Sequence, residues 1–227
     1  FFQFFAKKMG GFKQPFVTSI FSASSHHPFS IPQKYEGKFP KGDKPIHQCI
    51  GYSDYALKRF FEAMSKYEWF NNTLFVLSAD HTNQVTHKEY TTDAEAYSIP
   101  IFFYNPGSNL KGKKKELVQQ IDIMPSILGY LNYDKPYVAF GNDVLTQYDP
   151  NKYNVNYSNQ MYQIYRGDML FQFDGEKPKA LYNYRNDRML QHNLIGKMPV
   201  QDTMEVLLKA NIQQYLTRMI NNELIIK

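Results

Sequence analysis

The sequence predicts an α/β fold, a largely parallel sheet with helices on its faces, followed by a small antiparallel β meander and a C-terminal helix. Three observations carry this. β-prone apolar runs alternate with helix-period segments as far as about Gln147; short aromatic segments separated by tight-turn signals come next; helical spacing then returns to the end of the chain. Hydrophobic residues make up 43% of the 227, with 18 Phe and 18 Tyr, so the chain can bury a substantial core and does not read as disordered.

Taken in order, Pro15 to Ala23 is β-prone and reads as a buried strand ending in Ser24-Ser25-His26-His27-Pro28-Phe29. Gly, Pro and Lys make the stretch to Pro45 irregular. From about His47 to Tyr67, Ile50, Tyr55, Leu57, Phe60, Phe61 and Met64 give an apolar stripe near helical period. Strand Leu74 to Leu77 follows, then a polar loop and strand Ile99 to Tyr104, closed by the turn Asn105-Pro106-Gly107. A helix starts near Asp122, whose carboxylate is expected to cap it, with Pro125 tolerated in the first turn, and ends near Asn132.

Met161 to Tyr165, Met169 to Phe173 and Ala180 to Tyr184 form the expected meander, with Arg166-Gly167-Asp168 as a hairpin turn. Gln201 to Leu224 is the last helix, with Met204, Val206, Leu207, Ile212, Tyr215, Leu216, Met219 and Ile220 as its apolar set. Residues 1–147 are thus expected to form the α/β portion and 148–227 the meander with its helix.

The net charge of +5 favours acidic partners, although Lys111, Lys113, Lys114 and Lys115 supply much of it in one loop that reads as a solvated turn. The single Cys49 excludes an internal disulfide and a multi-cysteine metal site. No apolar window is long enough to span a bilayer and no signal peptide is recognisable. The chain opens on Phe1-Phe2-Gln3-Phe4-Phe5 without an initiator Met, which suggests a piece of something longer.

The sharpest chemical signal is Asp80-His81, directly after the run Leu74-Phe75-Val76-Leu77. Ligands gather beyond the carboxyl ends of strands in open α/β sheets, and a carboxylate beside an imidazole suits Zn²⁺ or Mn²⁺. An Asp-capped turn with a satisfied histidine is the structural alternative.

Five segments fall in a telling order: Ser24-Ser25-His26-His27-Pro28-Phe29, Gly51-Tyr52-Ser53-Asp54, Val76-Leu77-Ser78-Ala79-Asp80-His81, Ile99 to Gly107, and Gln120 to Leu128. Together they resemble the C-terminal half of the sulfatase-like branch of the alkaline phosphatase superfamily, most of all the lipoteichoic acid synthase family. The resemblance covers roughly residues 12 to 147 and implies a three-layer α/β/α sheet. It implies that Asp80 and His81 are metal ligands. His26 would lie by the substrate phosphate or leaving group, with Ser25 where the family's Asn-His-x-Pro-Phe-like motif has Asn.

His27, at the variable position of that motif, and His87, in the loop beyond His81, are substrate-binding candidates. Each has a bland alternative as an exposed histidine. Asp54 reads as structural, and His47 and His192 show no partner pattern. The nucleophile and a further ligand would come from sequence upstream of Phe1.

The implied cofactor is a divalent metal, Mn²⁺ or Zn²⁺, with Mg²⁺ or Ca²⁺ as other candidates. The implied reaction is transfer of a phosphoglycerol-type group from a lipid donor outside the cytoplasm, by a protein anchored through upstream membrane segments. Phosphoethanolamine transfer, sulfuric ester hydrolysis and a non-catalytic binding module of the same fold are alternatives. The partners implied are an anionic phospholipid or a phosphate or sulfate ester, together with the missing N-terminal half of the domain, and no nucleic acid. Cys49 lacks the Cys-x-Pro-x-Arg context of a formylglycine precursor and reads as a buried helix residue.

Overall fold

Aromatic density decides where the first core forms. The computed structural model describes residues 1–226, which pack as two units: Phe1–Thr86 with Pro100–Gly112, and His87–Ile99 with the chain from Lys113 onward. In the first, helix α1 (Phe2–Met9) lies on helix α2 (Ile46–Met64). Ala6, Met9, Phe60 and Met64 are buried between them, with Trp69 of the 3-10 helix Glu68–Asn72 in the same cluster, and Phe60 is edge-on to Phe2 and Phe75 and stacked on Phe5. Edge and offset ring packing adds to the burial of such large apolar groups.

α2 buries Ile46, Cys49, Phe60 and Met64, which share one helical face, whereas the expected stripe members Ile50 and Tyr55 are exposed. The stripe was assigned one residue out of phase in its first turns because Tyr and Ile outrank Cys in apolar area. Tyr55 packs instead with Tyr35, Phe39 and Tyr52 in a surface aromatic cluster.

Strands β1 (Phe75–Ser78) and β2 (Ile101–Tyr104) pair antiparallel, with Phe75 opposite Tyr104 and Ser78 opposite Ile101. The expectation of a largely parallel sheet is corrected here. No helix crosses over between them, so the chain returns in the opposite direction; antiparallel edges are common on large α/β sheets. Pro15 to Ala23 is a second correction. It joins no ladder among the described residues, and Val17 is fully exposed with Phe21 at 72%. β propensity reflects fit to a neighbouring strand, and beside this segment there is none.

The second unit holds helix α3 (Ile123–Tyr130), strands β3 (Tyr153–Ser158), β4 (Met161–Arg166), β5 (Met169–Phe173) and β6 (Pro178–Asn183), and helix α4 (Val200–Ile220). The four strands form an antiparallel meander in chain order. β3 was not expected. Its turn, Asn159-Gln160, has both residues at positive φ, 51° and 61°, which is the type I′ geometry usually marked by Asn-Gly. The β4–β5 turn is the expected one, with Gly167 at φ 55°.

The period of two sorts the meander into two faces. Ile164, Phe171, Phe173 and Leu181 turn to Met204 and Leu208 of α4 and form the core. Only part of α4's expected apolar set takes part: Leu207 and Ile212 pack on this core, whereas Val206, Leu216, Met219 and Ile220 are exposed. The other face mixes Asn154, Gln163 and Gln172, all buried, with an apolar cluster of Tyr165, Leu170 and Tyr184. Burial pushes the Tyr165 phenol well above its ordinary range. Asp93 meets this face: its carboxylate accepts from Asn159 and Gln172, both at 2.9 Å, and its carbonyl accepts from Tyr165 at 3.1 Å.

Asp122 differs from its expected role as the α3 cap. It is 2% exposed, and its carboxylate accepts the Gln119 and Asn142 amides at 2.8 and 2.7 Å and the Lys152 ammonium at 2.6 Å. It closes the single-turn 3-10 helix Gln120–Asp122 before α3 and ties three separated segments together. Gly141 allows this approach, since a side chain there would run into the Ile121 carbonyl.

Candidate active site

β1 ends at Ser78, so Asp80 and His81 stand just beyond its carboxyl end. The His81 amide donates to Asp80 Oδ1 at 2.9 Å, which orients the carboxylate and leaves Oδ2 at 3.4 Å from His81 Nε2. His81 Nδ1 lies 2.6 Å from the Thr82 carbonyl. A carbonyl only accepts, so Nδ1 carries a proton, and Nε2 is the ring nitrogen that faces Asp80.

A carboxylate oxygen and an imidazole lone pair facing each other repel unless a proton or cation stands between them. Two ligands about 2.0–2.2 Å from a tetrahedral Zn²⁺ lie about 3.3–3.6 Å apart. The observed 3.4 Å fits that edge. Both side chains are about half exposed, at 55% and 52%, so the pair is open to solvent and substrate. Among the described residues no group of three or more His, Cys, Asp or Glu forms a metal cluster.

His26 sits in a tight turn: its amide donates to Ala23 O at 3.0 Å, its carbonyl accepts from Phe29 at 2.9 Å, and its Nδ1 is 2.9 Å from the His27 carbonyl. Again the carbonyl fixes the proton on Nδ1. The turn is pinned to α2 by Ser25 Oγ and Ser53 Oγ, 3.2 Å apart. Sequence reasoning assigned Ser53 no role, although it lies in the quoted segment Gly51-Tyr52-Ser53-Asp54; a hydroxyl opposite the Ser that replaces Asn was the available signal. Gln84 was also passed over, and its Oε1 accepts the Ile46 amide at 3.2 Å, capping α2 from the loop beyond His81.

His27 is exposed with its ring edge-on to Phe29 at 5.7 Å. His87 belongs to the second unit, its ring 6.5 Å from Tyr90. Cys49 is fully buried, and burial raises its thiol pKa, which suits the expected inert helix residue.

The Sulfatase family model matches residues 1–133. The chain belongs to the sulfatase family. Its α/β fold is that of the alkaline phosphatase superfamily: a superfamily protein from Vibrio parahaemolyticus superposes with a TM-score of 0.81 at 21% identity, over 100% of this chain and 55% of that one. The lipoteichoic acid synthase LtaP from Listeria monocytogenes gives 0.62 at 23%, over 85% of this chain and 52% of that one.

Among curated relatives, an arylsulfatase from Clostridium perfringens is 24% identical over 183 residues, 73% of this sulfatase-family chain and 38% of the relative. Lipoteichoic acid synthase 2 from Bacillus subtilis is 28% identical over 155 residues, 59% of the chain and 23% of the relative. The chain thus spans between a quarter and two fifths of these relatives, roughly. Sulfatases and their superfamily kin generally use divalent metals. No helix among the described residues is long and apolar enough to cross a membrane.

Proposed function

We propose that this chain is the Asp-His half of the active site of a sulfatase-family phosphotransferase, which moves a phosphoglycerol-type group from an anionic phospholipid outside the cytoplasm. The observation that carries the reading is the Asp80–His81 pair, with 3.4 Å between Oδ2 and Nε2 and the imidazole proton held on Nδ1 by Thr82. The lipoteichoic acid synthases among the relatives support this choice of substrate class.

Asp80 and His81 would hold a divalent cation, Mn²⁺ or Zn²⁺, which when bound neutralises charge on the non-bridging phosphate oxygens. His26, its Nδ1 bonded to the His27 carbonyl, would present Nε2 to the phosphate or leaving oxygen, and a protonated Nε2 there would follow that oxygen as it departs. His27 would contact the headgroup. The nucleophile, a further ligand and the membrane anchor are assigned to the other half of the longer protein.

Sulfuric ester hydrolysis is the second reading, favoured by the arylsulfatase that aligns with 73% of the chain. The test uses the full-length protein and its His81→Ala and His26→Ala variants. Transfer of a labelled headgroup from phospholipid vesicles is measured beside hydrolysis of an aryl sulfate. The expected result is metal-dependent transfer reduced by a factor of about 100 or more in both variants, in the range of lost acid–base and metal roles. Vigorous sulfate-ester hydrolysis without transfer would replace the first reading by the second. An active His81→Ala would overturn both.

A further inference from the structure

Within the first unit, the segment between the His26 turn and α2 carries charge that the site described above does not use. Residues 33–44 hold Lys34, Lys38, Lys41 and Lys44 against Glu36 and Asp43, and all four lysines are exposed. None of the four forms an ion pair among the described residues. Two of these cations share one ring: Lys34 Nζ and Lys38 Nζ stand 5.1 and 5.2 Å from the centroid of Tyr35. They therefore lie within about 10 Å of each other, one Debye length at about 0.1 M salt, and repel through a screen that is only partial. The ring face offsets part of that repulsion, and an anionic partner would relieve the rest.

Aromatic packing holds these cations in place. Tyr35 meets Tyr52 and Tyr55 of α2 at 5.3 and 5.7 Å, and Phe39 meets the same two rings at 6.2 and 5.9 Å. Gly51 gives Phe39 its room, since a side chain there would press on the Phe39 Cβ at 3.1 Å. Tyr55 keeps 37% of its surface exposed beside the lysines. Tyrosine rings next to ammonium groups suit the headgroup layer of a bilayer, where the ring meets the acyl boundary and the hydroxyl meets water.

The His26 turn is fastened to the same turn of α2, through Ser25 to Ser53. Ser53 lies between Tyr52 and Tyr55 in the helix, so the two attachment points stand within about one helix diameter, about 10–12 Å. The lysines are spread along the segment and all are open to solvent, which matches an extended charged plane better than one enclosed phosphate.

We propose that residues 33–44, on the rings of Tyr35, Phe39, Tyr52 and Tyr55, dock this chain on an anionic lipid bilayer and present the His26 turn to its headgroups. The proposal rests on the reading of an anionic phospholipid as the substrate. It gives that substrate a surface on which it is met before any single headgroup is bound.

The test is sedimentation of this chain with vesicles of phosphatidylcholine alone or with about 30% phosphatidylglycerol. Binding is expected to the anionic vesicles at about 0.1 M salt and to be lost at about 1 M. The partition coefficient should fall about 25-fold in Lys34→Gln/Lys38→Gln, since each lysine near an anionic surface is worth about fivefold. Lys41→Gln/Lys44→Gln, which leaves the Tyr35 ring and its cations untouched, should lose a similar amount with an unchanged circular dichroism spectrum. Lys113→Gln/Lys114→Gln, in the second unit, should lose less than about fivefold. Failure to bind anionic vesicles, or a loss in the Lys113/Lys114 pair equal to that in the Lys34/Lys38 pair, would overturn the proposal. Competition by soluble glycerol phosphate at matched ionic strength would overturn it too, replacing the bilayer by a single headgroup. In the full-length protein, hydrolysis of a soluble phosphodiester should be lost in His81→Ala and kept in the lysine variants. Vesicle binding indifferent to all these lysines beside an inactive His81→Ala removes the docking surface and leaves the site reading. An active His81→Ala would remove the site reading, and with it the presentation of His26.

Discussion

Replacing Asp122 by Ala should unfold the second unit's connections more than any single change on its surface. The substitution strands the Gln119 and Asn142 amides and leaves the Lys152 ammonium, 11% exposed, without its carboxylate. Each unsatisfied buried group costs about 1–3 kcal/mol, and breaking a buried pair by removing one partner costs about 3–5 kcal/mol. These overlap, because all three donors lose the same acceptor, so the expected loss is about 3–5 kcal/mol rather than the sum. For a chain of this size that lowers the thermal midpoint by roughly 6–20 °C.

Lys152→Met is the contrasting case. It removes the cation but leaves Asp122 two backbone donors, so the loss should be smaller, about 1–2 kcal/mol. Urea unfolding followed by far-UV circular dichroism, with hydrogen exchange to locate the change in α3 and β3, measures both. A loss below about 1 kcal/mol for Asp122→Ala, or equal losses in the two variants, would refute the view of Asp122 as a hub that three donors need.

Further outcomes follow from other parts of the molecule. Leu208→Ala, at a fully buried position where α4 meets the meander, should cost about 2–5 kcal/mol by the same urea assay, and a loss under about 1 would mean the helix is not what closes that core. Asp174, in the β5–β6 turn, has its pKa lowered by the Lys177 amide first, then by the Lys179 ammonium and the Glu176 amide. Because the folded value is depressed, the turn's bonds are in full force above the ordinary carboxylate range near about 3.9 and are lost as pH falls through the folded value. An NMR titration of the Asp174 carboxyl should therefore show a midpoint well below that range, and an ordinary midpoint would contradict the bonding described. The chain alone should bind Zn²⁺ or Mn²⁺ with low affinity, since two protein donors leave about half of a tetrahedral shell to water. Tight binding in calorimetric titration, abolished by Asp80→Ala, would show that two donors suffice.

The parts of the fold legible in the sequence were those whose packing partners lie nearby in the chain. β1, β4 and β5 follow from apolar runs bounded by turn residues, and Arg166-Gly167-Asp168 is a hairpin turn in the structure as expected. Val17 and Phe21 misled because their β propensity says nothing of whether a strand lies alongside. β3 was hidden by its composition, Asn154, Asn156 and Ser158 facing a buried polar layer instead of a core, and by a left-handed Asn-Gln turn without glycine. α1 escaped because Phe at positions 1, 2, 4 and 5 gives no helical period.

At the site, Asp80-His81 is legible from its place just after a strand. The tautomer, fixed by Thr82, and the Ser25–Ser53 contact depend on backbone direction and on residues far apart in sequence.

The two units exchange segments along the chain: the first claims residues up to Thr86 and again Pro100–Gly112, the second claims His87–Ile99 in between. Neither is therefore a cassette. No single cut in the polypeptide separates them cleanly, and residues 87–99 leave the ribosome before β2 and ahead of every strand they will bind. Recombination or truncation at any one boundary would leave an orphan segment in the product, so such modules should travel through evolution, and through expression trials, only as a pair.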